Sequence, residues 1–279
     1  MIDAAIWLLS IEILGLLAVP LGFVLFHRLP DRGYTLAKPL ALILGSYLLW
    51  VLGLSHIAPN TRVTIFGILG LGALISFLII WRNRGPMLAF LRREWPWLLA
   101  AEGIFLGFFI LWALIVSEVP SISHTEKPMD FAFLNAVLQS RFFPVEDPWL
   151  AGQSISYYYF GYWMMGAVTE LSGLSTNFTY NLSMALIPAM VAMGVFGLVV
   201  AMVSSGQARW RYAVLGGIVS GVVLGIVGNL EGVLEFMRAN TIGGQGLYDW
   251  VSIDGLSGPM TDPSDSWVPQ EFWWWFRAT

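Results

Sequence analysis

Four carboxylate side chains lie close together between residues 124 and 161, and basic side chains lie among them. The acids are Glu126, Asp130, Glu146 and Asp147, and the bases are His124, Lys127 and Arg141. Carboxylate oxygens are the ligands that hard cations such as Mg²⁺ or Mn²⁺ prefer, and basic side chains bind phosphate oxygens. The residue types therefore indicate a site for a divalent cation, a phosphate group or both.

Each of these charged residues also has a purely structural explanation. Asp130 can stabilise the positive N-terminus of the helix that it begins. Glu126 and Lys127 can be solvated loop charges. Glu146 and Asp147, which lie between two prolines, can form a turn. The concentration of all of them in one short segment favours a site over five separate structural roles.

Three consecutive tyrosines, Tyr157, Tyr158 and Tyr159, close the same segment. Tyrosine rings favour the boundary between a membrane and water. They can therefore be ordinary interface anchors, or they can bind a ligand at that boundary.

The elements that position this segment belong to a membrane protein. The chain has 279 residues, is 57% hydrophobic and only 11% charged, and has a mean hydropathy of +0.71, whereas soluble domains carry about 25% charged residues. Hydrophobic runs near the roughly 20 residues that cross a bilayer predict spans at 4–26, 37–57, 63–81, 96–117, 180–203 and 212–229. The chain has no cysteine, which excludes disulfides, thiolate nucleophiles and cysteine-ligated metal centres.

The basic residues of the loops predict the orientation, because cytoplasmic loops are enriched in Lys and Arg. These residues are Arg28, Arg32 and Lys38 after the first span, Arg82, Arg84, Arg92 and Arg93 after the third, and Arg209 and Arg211 before the last. If all three loops are cytoplasmic, the N-terminus and the segment 118–179 are external, and an odd number of crossings separates residue 118 from residue 205. The external surface then carries most of the acids, which disfavours a nucleic-acid partner and is compatible with a cation site.

The odd number of crossings decides between two hydrophobic segments, 156–174 and 180–203. The first is rich in Tyr and Trp and contains Glu170, whose carboxylate would cost about 2.5–3.5 kcal/mol near the bilayer centre. We therefore predict that 156–174 lies at the external interface and that 180–203 crosses. The predicted fold is an all-α integral membrane protein with about six transmembrane helices and two external interfacial helices between the fourth and fifth. A seven-span arrangement is the alternative.

The first interfacial helix is predicted over residues 130–142. Its apolar side chains Phe131, Leu134, Leu138 and Phe142 share one face at helical spacing, which is typical of a helix lying on a membrane surface. Outside this segment, Glu12 and Glu102 fall within predicted spans, where snorkelling or a polar helix contact is the simplest explanation. Asp31, with the Arg and Gly that follow it, predicts a cytoplasmic turn.

Several stretches carry a resemblance to a known family. "EKPMDFAFLNAV", "PVEDPWLAG" and "ISYYYFGYWMMG" resemble the signature stretches of the prokaryotic YYY membrane-protein family, and so do "LPDRGYTLAKPL" and "YLLWVLG" upstream. Members of that family are considerably longer, so the chain resembles an N-terminal portion with a missing C-terminal half or a partner subunit. The family is similar in layout to the GT-C type of integral-membrane glycosyltransferases. The implied organisation is a three-helix membrane region at 1–95, a GT-C-like core at 96–238 with the external loop 118–179, and an external loop or truncated tail at 239–279.

The resemblance implies sugar transfer from a polyprenyl-phosphate donor, a lipid-linked sugar, at the external membrane face. It implies an inverting-type reaction in which an acid removes the proton of the acceptor hydroxyl, with Asp130 as the first candidate and Glu126 as the second. The remaining candidates bind the donor or a metal: His124, Lys127, Arg141, Tyr157, Tyr158 and Tyr159 for the substrate, and Glu146 and Asp147 for a divalent cation, Mg or Mn. The alternatives are a non-catalytic membrane scaffold or accessory subunit and, as a third interpretation, a transporter.

Overall fold

The computed structural model describes residues 2–123, 126–204, 210–223, 230–253 and 256. In chain order the helices are α1 (Ile2–Leu25), α2 (Ala37–Leu54, preceded by a 3-10 turn at Tyr34–Leu36), α3 (Arg62–Glu118), α4 (Lys127–Gln139), α5 (Phe160–Ser172), α6 (Thr176–Ser204), α7 (Trp210–Val222), α8 (Leu230–Ala239) and α9 (Gln245–Val251). The described residues form no strand, only one isolated bridge between Glu146 and Ser154. The prediction of an all-α membrane protein is confirmed.

Four stretches of the described residues are long and apolar enough to cross a membrane. They are Ile2–Leu25, Tyr34–Leu54, Arg62–Glu118 and Thr176–Val203. The sixth predicted span, 212–229, corresponds to α7, but residues 224–229 of it lie outside the described part of the chain. Of the predicted tail, only residues 239–253 and 256 are described, as the end of α8, α9 and a short connection.

The α3 helix contains two of the predicted spans, 63–81 and 96–117. A straight helix of its 57 residues would be about 85 Å long, yet both of its ends lie beside the junction of α5 and α6. At its start Arg62 pairs with Glu170 at 2.9 Å, and just beyond its end the Pro120 carbonyl accepts a hydrogen bond from Asn181 at 3.1 Å. Because Glu170 and Asn181 are only eleven positions apart, α3 must reverse direction. We call residues 62–82 its first arm and residues 84–118 its second arm.

The reversal of α3 occurs around Asn83, whose φ of −117° and ψ of 16° are not helical. Its side-chain amide donates to the Ile79 carbonyl at 2.9 Å, which is the acceptor that the Asn83 backbone would use in a regular helix. Pro86 follows three residues later and lacks the N–H that would continue the ladder. Local sequence therefore breaks the helix between the two predicted spans.

The two short helices α4 and α5 form a layer of their own. Each has 13 residues and is about 20 Å long, too short to cross a hydrocarbon layer of about 30 Å. The predicted apolar face of α4 needs correction. The buried side chains are Phe133, Leu134 and Val137, so only Leu134 of the predicted set is buried, and Phe142 lies beyond the end of the helix. The face differs because α4 packs against α5 and the loop after it.

A separate hydrophobic cluster fixes this α4–α5 layer to the long helices. Trp163 of α5 is 1% exposed, lies 3.9 Å from the Phe143 ring, and donates its indole N–H to the Ser46 carbonyl of α2 at 3.0 Å. The other buried members of the cluster are Leu49, Ile65, Phe133, Val137, Val145 and Ile155. The layer therefore has a rigid base on α2 and on the start of α3.

Lys38 occupies a position that its assignment to a loop did not predict. Its side chain is 3% exposed, and its Nζ lies 2.7 Å from both carboxylate oxygens of Glu102 and 3.1 Å from Glu12. The prediction that Lys38 is a loop charge is wrong, because two acids from neighbouring helices surround it. The prediction of a polar helix contact for Glu12 and Glu102 is confirmed. Gly15 leaves room for the lysine stem, because a Cβ at this position would lie 2.7 Å from Lys38 Cγ.

The turn predicted at Asp31 is confirmed. The buried Asp31 carboxylate accepts hydrogen bonds from the Gly33 N–H at 3.0 Å, the Thr35 N–H at 3.0 Å and the Thr35 hydroxyl at 2.7 Å. Gly33 has a φ of 74°, a left-handed conformation that glycine adopts without strain. The carboxylate therefore sets the entry of the chain into α2.

Candidate functional site

The first turn of α4 places Asp130 at the centre of the candidate site. Glu126 is the N-cap residue, Pro128 lies at the start of the helix where its missing N–H is tolerated, and the Asp130 N–H donates to the Glu126 carbonyl at 2.9 Å. Asp130 is therefore fixed in the first turn of α4, near the positive helix N-terminus.

Tyr162 of α5 contacts Asp130 directly. The Tyr162 hydroxyl donates to Asp130 Oδ1 at 2.5 Å, a contact between residues that are 32 positions apart. Burial and then this hydrogen bond raise the pKa of Tyr162, so the phenol stays neutral and remains a donor. Asp130 Oδ1 thereby accepts one hydrogen bond from the protein.

A second tyrosine approaches the same carboxylate from α6. Tyr180 is 5% exposed, its ring packs edge-on against Phe131 at 5.8 Å, and its hydroxyl is close enough to Asp130 to interact with its charge. The hydroxyl thus lies beside the Asp130 carboxylate, without a hydrogen bond of regular geometry within the described residues. A buried phenol in this position can donate to Asp130 or to a bound ligand.

The three consecutive tyrosines have three different environments. Tyr157 packs on Phe133 at 5.8 Å and interacts electrostatically with Glu126 and Asp130, which places it at the site. Tyr158 is 76% exposed and accepts a hydrogen bond from the Tyr157 hydroxyl at 2.8 Å. That hydrogen bond is the main cause that raises the pKa of Tyr157 to about 12.

Tyr159 points the other way, toward α2. Its hydroxyl accepts a hydrogen bond from the Trp50 indole at 2.9 Å, and its ring stacks on Phe143 at 6.2 Å. It also provides the N-cap of α5. Tyr159 therefore anchors the layer, and only Tyr157 and Tyr158 lie where they can contact a ligand of Asp130.

Lys127 and Glu126 complete the site at the helix start. Lys127 lies three residues before Asp130, so the two side chains are neighbours on one face of α4. Lys127 is half-buried, and this burial lowers the pKa of its ammonium group. Glu126 is exposed. The site thus offers one carboxylate held by a phenol, one exposed carboxylate and one partly desolvated amine.

The remaining predicted residues do not join this site. Arg141, Glu146 and Asp147 line a groove together with Asn135 and Gln139 of α4. At about 100° per residue, Gln139 lies about 180° and Asn135 about 140° around the helix from Asp130. The groove and Asp130 are therefore on opposite faces of α4. His124 lies outside the described residues.

The described residues contain no group of three or more His, Cys, Asp or Glu side chains close enough together to hold a metal ion. Asp147 Oδ1 accepts hydrogen bonds from the N–H groups of Trp149 at 2.8 Å and Leu150 at 3.1 Å. Asp147 therefore forms a turn, as its position between two prolines indicated. A cation at Glu146 and Asp147 would need further ligands from outside this set, such as phosphate oxygens.

Sequence reasoning missed Tyr162, which donates to Asp130, and Tyr180, whose hydroxyl lies beside it. Tyr162 had a visible signal, since it follows the tyrosine triplet closely in "YYYFGYW", but it reads as one more interface anchor. Tyr180 had none, because its neighbours in sequence look like the start of a membrane span. Both contacts depend on how α5 and α6 pack against α4.

Residues 44–279 match the model of a family described as an uncharacterized membrane protein, DUF2298. The match includes the whole α4–α5 layer and both arms of α3. No curated protein and no solved structure matches the chain.

Proposed function

The chain belongs to the DUF2298 family of membrane proteins, and from the site on α4 we propose that it is a membrane glycosyltransferase, or the N-terminal part of one, that transfers a sugar from a polyprenyl-phosphate donor. The observation that carries the proposal is the Asp130 carboxylate, held by Tyr162 in a layer of helices too short to cross the bilayer. The resemblance of this segment to the YYY family, and of its layout to GT-C type glycosyltransferases, supports the same reaction class.

The proposed reaction needs one proton transfer and one displacement. Asp130 takes the proton of the acceptor hydroxyl while the acceptor oxygen forms a bond to the anomeric carbon of the donor sugar. The bond between that carbon and the phosphate oxygen breaks, and its electron pair leaves with the lipid phosphate. Displacement from the opposite side inverts the anomeric centre. Glu126, in the same helix turn but exposed, is the second candidate for the base.

The leaving phosphate gains negative charge, which the protein must stabilise. Lys127 is the base placed to do so, since it shares a face of α4 with Asp130 and its partial burial strengthens its electrostatic effect. The Tyr180 hydroxyl, which lies beside Asp130, is a second donor on the same side. A divalent cation remains part of the proposal only as a phosphate-bound ion, with Glu126 and Asp130 as its nearest carboxylates.

We propose that the site faces the exterior and that the chain crosses the membrane several times, with its N-terminus outside. Phe23 packs on Phe90 at 5.6 Å, so the end of α1 and the arginine-rich reversal of α3 lie together. The start of α3 lies at the other end, where Arg62 contacts α5. The arginines near the end of α1 and the reversal of α3 are thus at the opposite end of the helices from the α4–α5 layer. This is the arrangement expected if loops rich in Lys and Arg are cytoplasmic, and it does not depend on counting Lys38 as a loop residue.

Turnover of the donor tests the proposal. The protein is placed in vesicles with polyprenyl-phosphate-linked hexose and the membrane extract that contains the acceptor, and the appearance of free polyprenyl phosphate is followed by mass spectrometry. Asp130→Asn is expected to reduce the rate about 10²- to 10⁴-fold, the usual contribution of a general base. Glu94→Gln, in the arginine-rich part of α3 at the other end of the helices, is the matched control and is expected to keep the wild-type rate. Full activity of Asp130→Asn would remove Asp130 from the mechanism.

A non-catalytic scaffold or accessory subunit is the second candidate function. The observation that favours it is that only two of the four predicted acids, Glu126 and Asp130, share a face of α4. A scaffold predicts that all four acids can be neutralised together without loss of the protein's cellular role. Loss of that role in Asp130→Asn alone would exclude the scaffold.

A further inference from the structure

The groove on the far side of α4 is a second place where polar side chains converge. It has a volume of about 780 Å³, within the range of small-molecule sites. Its polar side chains include His56, Gln139, Arg141, Glu146 and Asp147, and its apolar ones include Ala132, Ala136, Phe142 and Pro144. Asp130 does not line the groove, so the groove is separate from the proposed reaction site.

Hydrogen bonds to backbone carbonyls fix both walls of the groove, and the polar side chains that line the groove take no part in these bonds. Asn60 holds the first wall: its N–H donates to the Arg141 carbonyl at 2.8 Å, and its side-chain amide donates to the carbonyls of Val137 at 3.1 Å and Ser140 at 3.2 Å. The Asp147 N–H fixes the second wall by donating to the Gln153 carbonyl at 2.9 Å. Fixed walls reduce the ordering cost of binding.

The exposed polar side chains of the groove include both hydrogen-bond donors and hydrogen-bond acceptors. Arg141 and Gln139 are exposed and offer N–H donors, and Glu146 is exposed and offers carboxylate oxygens. Phe142 gives the groove an aromatic surface, with the His56 ring 4.7 Å and the Arg141 guanidinium 5.7 Å from its centre. Hydroxyl groups both donate and accept, and sugar C–H surfaces pack on aromatic rings.

We propose that this groove binds a neutral saccharide. The two carboxylates at its edge would repel a phosphate or another anion, and the polar lining does not suit a lipid chain. Within the described residues the acids of the groove do not form a cluster that could hold a metal ion. A polyhydroxylated ring is the ligand class that satisfies the donors, the acceptors and the aromatic surface together. The proposal does not depend on sugar transfer at Asp130.

Ligand-observed saturation-transfer NMR tests the proposal, with maltotriose, cellotriose and chitotriose as probes. The protein is purified in a detergent without a sugar headgroup, because a maltoside would compete. We expect at least one trisaccharide to bind, and Arg141→Ala to weaken that binding about tenfold or more through loss of a charge-assisted hydrogen bond. Gln153→Ala, an exposed residue of the same loop whose side chain does not line the groove, is the matched control and is expected to bind like the wild type.

Asp130→Asn separates this proposal from the proposed function. Unchanged trisaccharide binding in that variant, with weakened binding in Arg141→Ala, places the sugar in the groove. Binding that is lost in Asp130→Asn but kept in Arg141→Ala places the sugar at the reaction site and overturns the groove proposal. The absence of binding by all three probes to the wild-type protein also overturns it, whatever the rate of sugar transfer.

Discussion

Replacing Lys38 by methionine should destabilise the protein strongly. The ammonium group is 3% exposed and lies within 3.1 Å of two carboxylates, Glu12 and Glu102, and 4.3 Å from the Phe105 ring. Lys38→Met keeps most of the apolar stem but leaves two acids facing each other without a cation. Removing one partner of a buried ion pair costs about 3–5 kcal/mol, because the remaining charge stays buried. Since the Glu12 and Glu102 side chains are 28% and 20% exposed, we expect a cost near the lower end of this range, about 3 kcal/mol.

That cost can be converted into a shift in melting temperature. For a chain of this size, about 1 kcal/mol corresponds to roughly 2–4 °C, so Lys38→Met should melt about 10 °C below the wild type. Fluorescence-detected size exclusion after heating in detergent measures the shift. A control variant that combines Lys38→Met with Glu12→Gln and Glu102→Gln removes all three charges and should recover most of the lost stability, since neutral replacement of a buried ion pair is often tolerated.

Two results would refute this reasoning. If Lys38→Met melts within about 2 °C of the wild type, on the conversion used above, then the three charges do not form the buried cluster. If the triple variant is as unstable as Lys38→Met, then the loss comes from the lysine stem beside Gly15 and not from the unpaired acids.

Three further predictions concern individual side chains. Tyr162→Phe should lower sugar-transfer activity about tenfold and stability by about 1 kcal/mol through loss of the hydrogen bond to Asp130, whereas Tyr47→Phe, at an exposed tyrosine of α2, should leave both unchanged. Equal effects of the two substitutions in activity assays and thermal melts would contradict the role of Tyr162. Gly33→Ala should lower the free energy of unfolding by about 1–3 kcal/mol, because φ is 74° and the new Cβ would lie 2.3 Å from the Phe26 ring, whereas Gly45→Ala, in α2 with nothing within 4 Å of the new Cβ, should be neutral or stabilising. Denaturant titration that ranks the two variants in the reverse order would show that the turn is not as described. Tyr157 should ionise near pH 12 rather than near the usual value of about 10, so the stability that it contributes is present below about pH 10 and is lost as the pH rises toward 12. Phenolate absorbance should show that Tyr157 ionises at a lower pH in Tyr158→Phe, and an unchanged titration would remove the hydrogen bond between the two tyrosines as the main cause of the raised pKa.

The helices were predictable because length, apolar content and helical periodicity are local properties of the sequence. The spans at 63–81 and 96–117 correspond to the two arms of α3, with Asn83 and Pro86 marking the break between them. The turn at Asp31 was also predictable, since an Asp side chain commonly accepts a hydrogen bond from the backbone N–H two residues later, here that of Gly33.

The partners of charged residues were not predictable in the same way. Lys38 follows two loop arginines and was therefore counted with them, but the packing of α1 and α3 on α2 surrounds it with Glu12 and Glu102. Charge counting along a sequence cannot separate a loop lysine from one that enters the first turn of a buried helix.

The candidate site shows the same limit. Asp130 and Glu146 are close in sequence, but the chain passes around the end of α4 between them, so their side chains reach opposite faces of that helix. The contact between Asp130 and Tyr162 depends on the docking of α5, which Trp163 and Phe143 fix through the core of the layer. Sequence proximity therefore predicted one group of charged side chains, which the fold separates onto two faces of α4.

Mass spectrometry of the lipids that co-purify with the chain in mild detergent tests the central claim most directly. The account predicts that the wild-type protein retains a polyprenyl phosphate or its glycosylated form, and that Asp130→Asn changes the ratio of the two while Glu94→Gln does not. Bulk phospholipid alone in all three preparations would contradict the claim that the Asp130 site binds a lipid-linked sugar.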